Sequence, residues 1–149
     1  MIDQDIVDDG HCYACGQFND DGLKMRFVAQ ADLSVHARVV LDAKYQGWRG
    51  VAHGGVVMML LDEAMAHAAG ARGERGVTAS MATRFRAPVV LEAPLEVRGR
   101  VLWQRRNVLK CEAEIRDASG AVVASAEGNF VSRGKIEAAA LATGFGEGA

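Results

Sequence analysis

The stretch "VAHGGVVMMLLDEAMAHAAGA", Val51–Ala71, decides how this 149-residue chain is read. From Val56 to Ala69 every residue is apolar or small except Asp62, Glu63 and His67. Gly54 and Gly55 stand ahead of the run, and Gly70, Gly73 and Gly76 follow it, where a helix starts and stops. A helix apolar on nearly every face must be covered on most sides. Two adjacent carboxylates in such a run are costly unless paired, neutralised or used. They point about 100° apart on a helix. Glu63 shares its face with His67 at i+4, a simple helix-surface or pocket-edge pair. Asp62 lies with Met58, Met59, Ala66 and Ala69 and has no cation in its own helix. Pairing accounts for Glu63 and leaves Asp62 as the candidate reagent.

Outward from the helix, the chain reads as strands. "LKMRFVA" (Leu23–Ala29) and "LSVHARVVL" (Leu33–Leu41) alternate as two strands before it. Four more follow, at Val77–Arg86, Leu95–Gln104, Asn107–Asp117 and Val122–Ser132. "RRN" (Arg105–Asn107) and "DASG" (Asp117–Gly120) supply hairpin turns. Two strands, one apolar helix and four consecutive strands predict an α+β layer fold, an antiparallel sheet curled around one central helix. The expected division is an N-terminal loop segment over 1–22, one domain over 23–133 and a flexible tail over 134–149.

Composition excludes several classes. Seventeen Lys+Arg against nineteen Asp+Glu, a formal charge of -2, is no nucleic-acid footprint. The longest apolar run, Val56–Leu61, is far short of a membrane span, and the acidic N-terminus does not read as a signal peptide. Cys12, Cys15 and Cys111 are an odd number and form no disulfide framework, which fits a reducing cytoplasm. Zinc wants four ligands, and beyond Cys12 and Cys15 in "HCYAC" only Cys111 remains. A cysteine-bearing loop packed over the end of the sheet, without metal or cofactor, is therefore expected.

Three motifs together resemble the hotdog-fold acyl-CoA thioesterases of the phenylacetate-pathway and thioesterase-superfamily-member type. They are His53-Gly54-Gly55 with Asp62 nine positions after the histidine, the strand "GVTASMATRFRAPV" (Gly76–Val89), and the opening "CYACGQFNDDGL" (Cys12–Leu23). The resemblance implies a hotdog fold, a homodimer or dimer of dimers, and hydrolysis of acyl-CoA. It implies Gly54 N–H as oxyanion donor, His53 and Gly55 forming the turn, and Asp62 as general base or nucleophile across a dimer interface, with Thr78 positioning Asp62 or the water. Backbone N–H groups at a helix start suit an oxyanion, because they lack intrahelical partners and lie at the positive end of the dipole.

Substrate contacts are expected from Trp48, Met58, Arg84 and Arg86; the two arginines would meet coenzyme A phosphates, since simple alternation puts them on the Thr78 face. Arg105–Arg106 is the other candidate for those phosphates. One branch of the family carries Asn six positions before the histidine, where this chain has Gly47. Gln46, Trp48 or a backbone group would have to substitute. "EAMAHAAG" (Glu63–Gly70) also resembles the helix of hotdog dehydratases, in which Glu63 and His53 would be catalytic, but no His-Phe-Pro loop precedes Val56. A non-catalytic acyl-CoA-binding module is the third reading, and it would not need Asp62.

Overall fold

The computed structural model describes residues 6–136. Its elements run β1 (Val28–Ala29), β2 (Val35–Val40), α1 (Gly54–Ala71), β3 (Glu74–Phe85), β4 (Pro94–Arg105), β5 (Val108–Arg116) and β6 (Val122–Lys135). The strands form one antiparallel sheet in the order β1-β2-β4-β5-β6-β3, so β1 and β3 are its edges. The sheet does not close, and α1 packs along its inner face. This is the hotdog arrangement expected from the sequence.

The helix docks by one crowded stripe. Val57, Leu60, Leu61, Ala64, Met65, Ala68 and Ala69 are buried against Val97, Leu109, Cys111, Ile115, Ala124 and Phe130 from the sheet. Truncating a leucine in such a stripe typically costs about 2–5 kcal/mol. Gly99 of β4 sets how closely the layers approach, because a Cβ there would lie 2.4 Å from the Ala64 carbonyl oxygen. Any side chain at that position would push the helix off the sheet.

Two expectations change. The strand expected over Leu23–Ala29 shrinks to Val28–Ala29. Leu23 and Met25 N–H groups bond instead to Tyr13 and Ala14 carbonyls, and Lys24 has a left-handed φ of 51° that no strand accommodates. Met25 and Phe27 still reach the core, so the N-terminal segment is pinned over the helix rather than added to the sheet. Strand β6 also extends through Lys135, past the expected end at Ser132. The remainder of the tail, from residue 137, lies outside the described residues.

Candidate active site

His53 caps α1, and its Nδ1 accepts from Gly55 N–H at 2.9 Å. Its own N–H donates to Tyr45, which ties the turn to the preceding loop. A Cβ on Gly55 would sit 3.2 Å from that imidazole nitrogen, so the absence of a side chain lets the ring fold back over the helix start. Gly54 differs. Its N–H has no hydrogen-bond partner among the described residues, and a Cβ there would meet only the Phe85 ring, at 3.8 Å. Among the described residues of the chain, nothing requires glycine at 54.

Asp62 lies two turns along the helix on a half-buried stripe with Met58 and Ala66. The Thr78 hydroxyl donates to its Oδ1 at 2.6 Å. Burial pushes the Asp62 carboxyl above its ordinary value; the Thr78 bond opposes that, and the charge of Glu63 adds to it. A carboxylate raised in this way and supported by one donor is suited to accept a proton.

Thr78 reaches Asp62 from the inner face of β3, and a bulge follows it, between Thr78 and Ser80. Thr78 pairs with the buried Phe130, whereas Ser80 pairs with Asn129, whose side-chain amide donates to the Ser80 hydroxyl. The extra residue, Ala79, reverses the alternation. Ser80, Ala82 and Arg84 therefore point to the outer face, which corrects the expectation that Arg84 and Arg86 share the face of Thr78. Both arginines instead border an open hollow of about 990 Å³ on the outside of the sheet, along with Arg98, Arg100, Glu112 and Glu114.

Trp48 stands 87% exposed at the tip of a turn closed by Gly47 and Val51 backbone bonds, so it does not cap the core. Gln46 is occupied in that turn, accepting from Gly50 N–H at 2.9 Å. Position 47 itself is crowded, since a Cβ there would come within 3.0 Å of the His53 Cα. The loop therefore offers no side chain in place of the family's Asn from position 46 or 47.

Glu63 lies on the other flank of α1 in a different setting. Its carboxylate is 3.2 Å from His67 Nε2, and the two side chains are only 14% and 13% exposed. The Cys12 thiol lies 3.6 Å from the same oxygen. Burial alone would raise the Glu63 carboxyl; hydrogen bonds from His67, Cys15 and Cys12 outweigh it and hold it below its ordinary value. Burial and the Glu63 charge push the Cys15 thiol far up, so it is no nucleophilic thiolate. No hydrogen bond joins Glu63 to His53 among the described residues, and the N-terminal loop covers Glu63 where the dehydratase reading needs it open.

Residues 49–124, just over half of the chain, match the sequence profile of the Thioesterase superfamily. The chain belongs to that superfamily. Among solved structures, a thioesterase superfamily protein is 33% identical with a TM-score of 0.79, the match covering 83% of this chain and 61% of that one. The present chain thus spans about three-fifths of that relative. A hypothetical thioesterase from Streptococcus pneumoniae, crystallised with coenzyme A, is 20% identical with a TM-score of 0.71, covering 76% and 91%. That protein has also been crystallised as a Thr→Ala and an Asp→Ala variant, at positions sixteen apart. The Escherichia coli PaaI protein from the phenylacetic acid degradation operon is 20% identical with a TM-score of 0.71, covering 76% and 83%. At these lower identities the likeness is one of fold. No curated protein matches the chain.

Proposed function

We propose that this protein hydrolyses acyl-CoA thioesters at a site shared between two copies of the chain. The observation that carries the reading is the half-buried Asp62 carboxylate, held by Thr78 at 2.6 Å. In the reaction, Asp62 takes a proton from water as the hydroxide adds to the acyl carbon. The carbonyl oxygen becomes an oxyanion facing Gly54 N–H. The tetrahedral intermediate then collapses, breaking the C–S bond, and the proton goes to the coenzyme A sulfur.

The need for a second copy follows from helix geometry. Gly54 and Asp62 are eight residues apart, about 12 Å along the axis at 1.5 Å per residue. An oxyanion donor and a base acting on one carbonyl must both lie about 3 Å from the reacting atoms. One protomer cannot satisfy that. Strand β3 is also an edge of twelve residues, exposed over most of its length, and an unprotected edge of that kind invites a second strand. Antiparallel pairing of β3 with its own copy, centred between Met81 and Ala82, would lay Thr78 of one chain opposite Phe85 of the other. A Cβ at Gly54 would meet the Phe85 ring at 3.8 Å. Each Asp62 would then face the partner's helix start. The Asp and Thr variants of the Streptococcus pneumoniae protein have the same sixteen-residue separation as Asp62 and Thr78, which supports the same pair here.

The test is hydrolysis of short, medium and aryl acyl-CoAs by wild type and Asp62→Asn. The substitution should lower kcat by at least ~10²-fold with little change in acyl-CoA binding. A folded Asp62→Asn variant that keeps wild-type turnover would remove Asp62 from the chemistry. Acyl-CoA binding without turnover in wild type would leave a binding module.

A further inference from the structure

The buried Glu63 and the two cysteines of the N-terminal loop come from distant parts of the chain and converge on one point. Cys12 Sγ, Cys15 Sγ and a Glu63 carboxylate oxygen all lie within 4.8 Å of one another. We infer that this cluster is a zinc site, with Cys12, Cys15 and Glu63 as ligands and water in the fourth position.

The ligand chemistry is that of zinc. Thiolate sulfur, imidazole nitrogen and carboxylate oxygen are its usual donors, and a Cys-x-x-Cys pair is a common half-site. At bond lengths of about 2.3 Å to sulfur and 2.0 Å to oxygen, a tetrahedral ion separates sulfur from oxygen by about 3.5 Å. Cys12 Sγ is 3.6 Å from Glu63 Oε1. His67 Nε2, 3.2 Å from the same oxygen, orients the carboxylate as an outer partner of a ligand commonly does.

The loop is shaped for the pair. Cys15 N–H points at Cys12 Sγ at 3.5 Å, a contact that favours a sulfur carrying negative charge. Gly16 N–H closes the turn onto the Cys12 carbonyl at 2.8 Å. A Cβ at Gly16 would come within 2.3 Å of Cys12 N and 2.6 Å of the Gly10 carbonyl, so only glycine fits behind the second cysteine. Among the described residues no Lys or Arg reaches Glu63; its partners are His67 and the two thiols, and an ion there would take up the thiols as ligands while His67 stays on the carboxylate. Two thiols lose their protons as the ion binds, and the resulting complex of one Zn2+, two thiolates and one carboxylate carries a single negative charge. The ion clamps the loop around Cys12–Cys15 to α1 and acts independently of the hydrolysis proposed above.

The experiment uses the full untagged chain, purified under reducing conditions, stripped with a chelator and titrated with Zn2+ against a chromogenic chelator. Co2+ serves as the optical probe. One Zn2+ per chain should bind, Co2+ should give a thiolate charge-transfer band, and the thermal midpoint should rise until one equivalent is reached. Cys12→Ser and Cys15→Ser should each weaken binding by ~100-fold or more and remove or halve the band. Glu63→Gln should weaken it by about 10–100-fold, and Cys111→Ala should leave the stoichiometry unchanged. Circular dichroism checks each fold. The inference is overturned if reduced, folded wild type gives no charge-transfer band and no stoichiometric Zn2+. It is equally overturned if binding survives both cysteine substitutions, or if the two thiols are found only as a disulfide that binds no metal after reduction.

Discussion

If Gly54 of one chain serves Asp62 of another, two inactive variants should repair each other. Gly54→Pro is the sharper of the two perturbations. Gly54 is the first residue of α1, where proline's fixed φ suits the helix and its missing N–H breaks no helical bond. His53, immediately before it, has φ -56° and ψ 137°, the extended geometry that a residue preceding proline prefers. Among the described residues, a Cβ at 54 would meet only the Phe85 ring, at 3.8 Å. The substitution therefore deletes one donor and leaves the fold alone. Loss of one oxyanion donor costs about 3–4 kcal/mol, or roughly 10²–10³ in kcat. Asp62→Asn is comparably inactive for a different reason. In a mixed dimer, one site combines both defects and the other has Gly54 and Asp62 intact. Random exchange of equal amounts makes half of the dimers mixed, so activity should recover to about a quarter of wild type, against about one per cent for either variant alone. The assay is thiol release from the best acyl-CoA after the two variants are unfolded and refolded together, with sedimentation to count dimers. Mixed dimers that stay as inactive as their parents would refute the shared site. Recovery would be impossible if each chain used its own Gly54 and Asp62.

Two further substitutions probe the surroundings. Thr78→Val keeps the β-branched shape and removes the hydroxyl from Asp62; because water can partly replace it at this exposed position, the expected loss in kcat/KM is about 1–2 kcal/mol, or ~5–30-fold, while Thr78→Ser stays near wild type. Equal activity for Val, Ser and wild type would exclude the hydroxyl from the site. Glu74 is a buried carboxylate that burial would raise, yet hydrogen bonds from Lys135, Ser132 and Gln104 together hold it below its ordinary 4.5. Its stabilisation is therefore present above pH ~4.5 and fades as pH falls through the lower folded value. Glu74→Gln should cost about 1–2 kcal/mol at neutral pH and leave the acid limb of stability shallower, as read from urea midpoints between pH 3 and 7; an unchanged acid limb would show that these bonds contribute no charge-dependent stability.

The helix, the last four strands and both hairpins are readable in the sequence because each has a strong period and a turn signal beside it. Asp62 is readable by subtraction, as an acid with no partner in its helix. The bulge after Thr78 is not. Along β3 most residues are exposed on either face, so one inserted residue leaves no mark in the hydrophobic pattern. Alternation read straight through it puts Arg84 and Arg86 on the Thr78 face, whereas both lie on the outer face of the sheet. The short β1 has a similar cause, since backbone bonds from Leu23 and Met25 to Tyr13 and Ala14 depend on how the N-terminal segment folds over the helix. Side-chain alternation does not record that competition.

The two neighbouring acids show how far a local rule extends. Spacing on the helix separates Asp62 from Glu63 and finds the Glu63–His67 pair, which the structure contains at 3.2 Å. It places that pair at the helix surface or a pocket edge, and the structure buries it under a loop whose cysteine is 51 residues away in sequence. No window on the helix contains that loop. The consequence is chemical as well as structural. Asp62, on the flank left open beside β3, has Thr78 as its one hydrogen-bond donor among the described residues and a carboxyl raised by burial. Glu63, one residue on, is surrounded by donors and held low. Two carboxylates on the same turn are thus driven to different tasks by what covers each flank. The helix supplies the hundred degrees between them, and the partners on each side decide which acid remains available to a substrate.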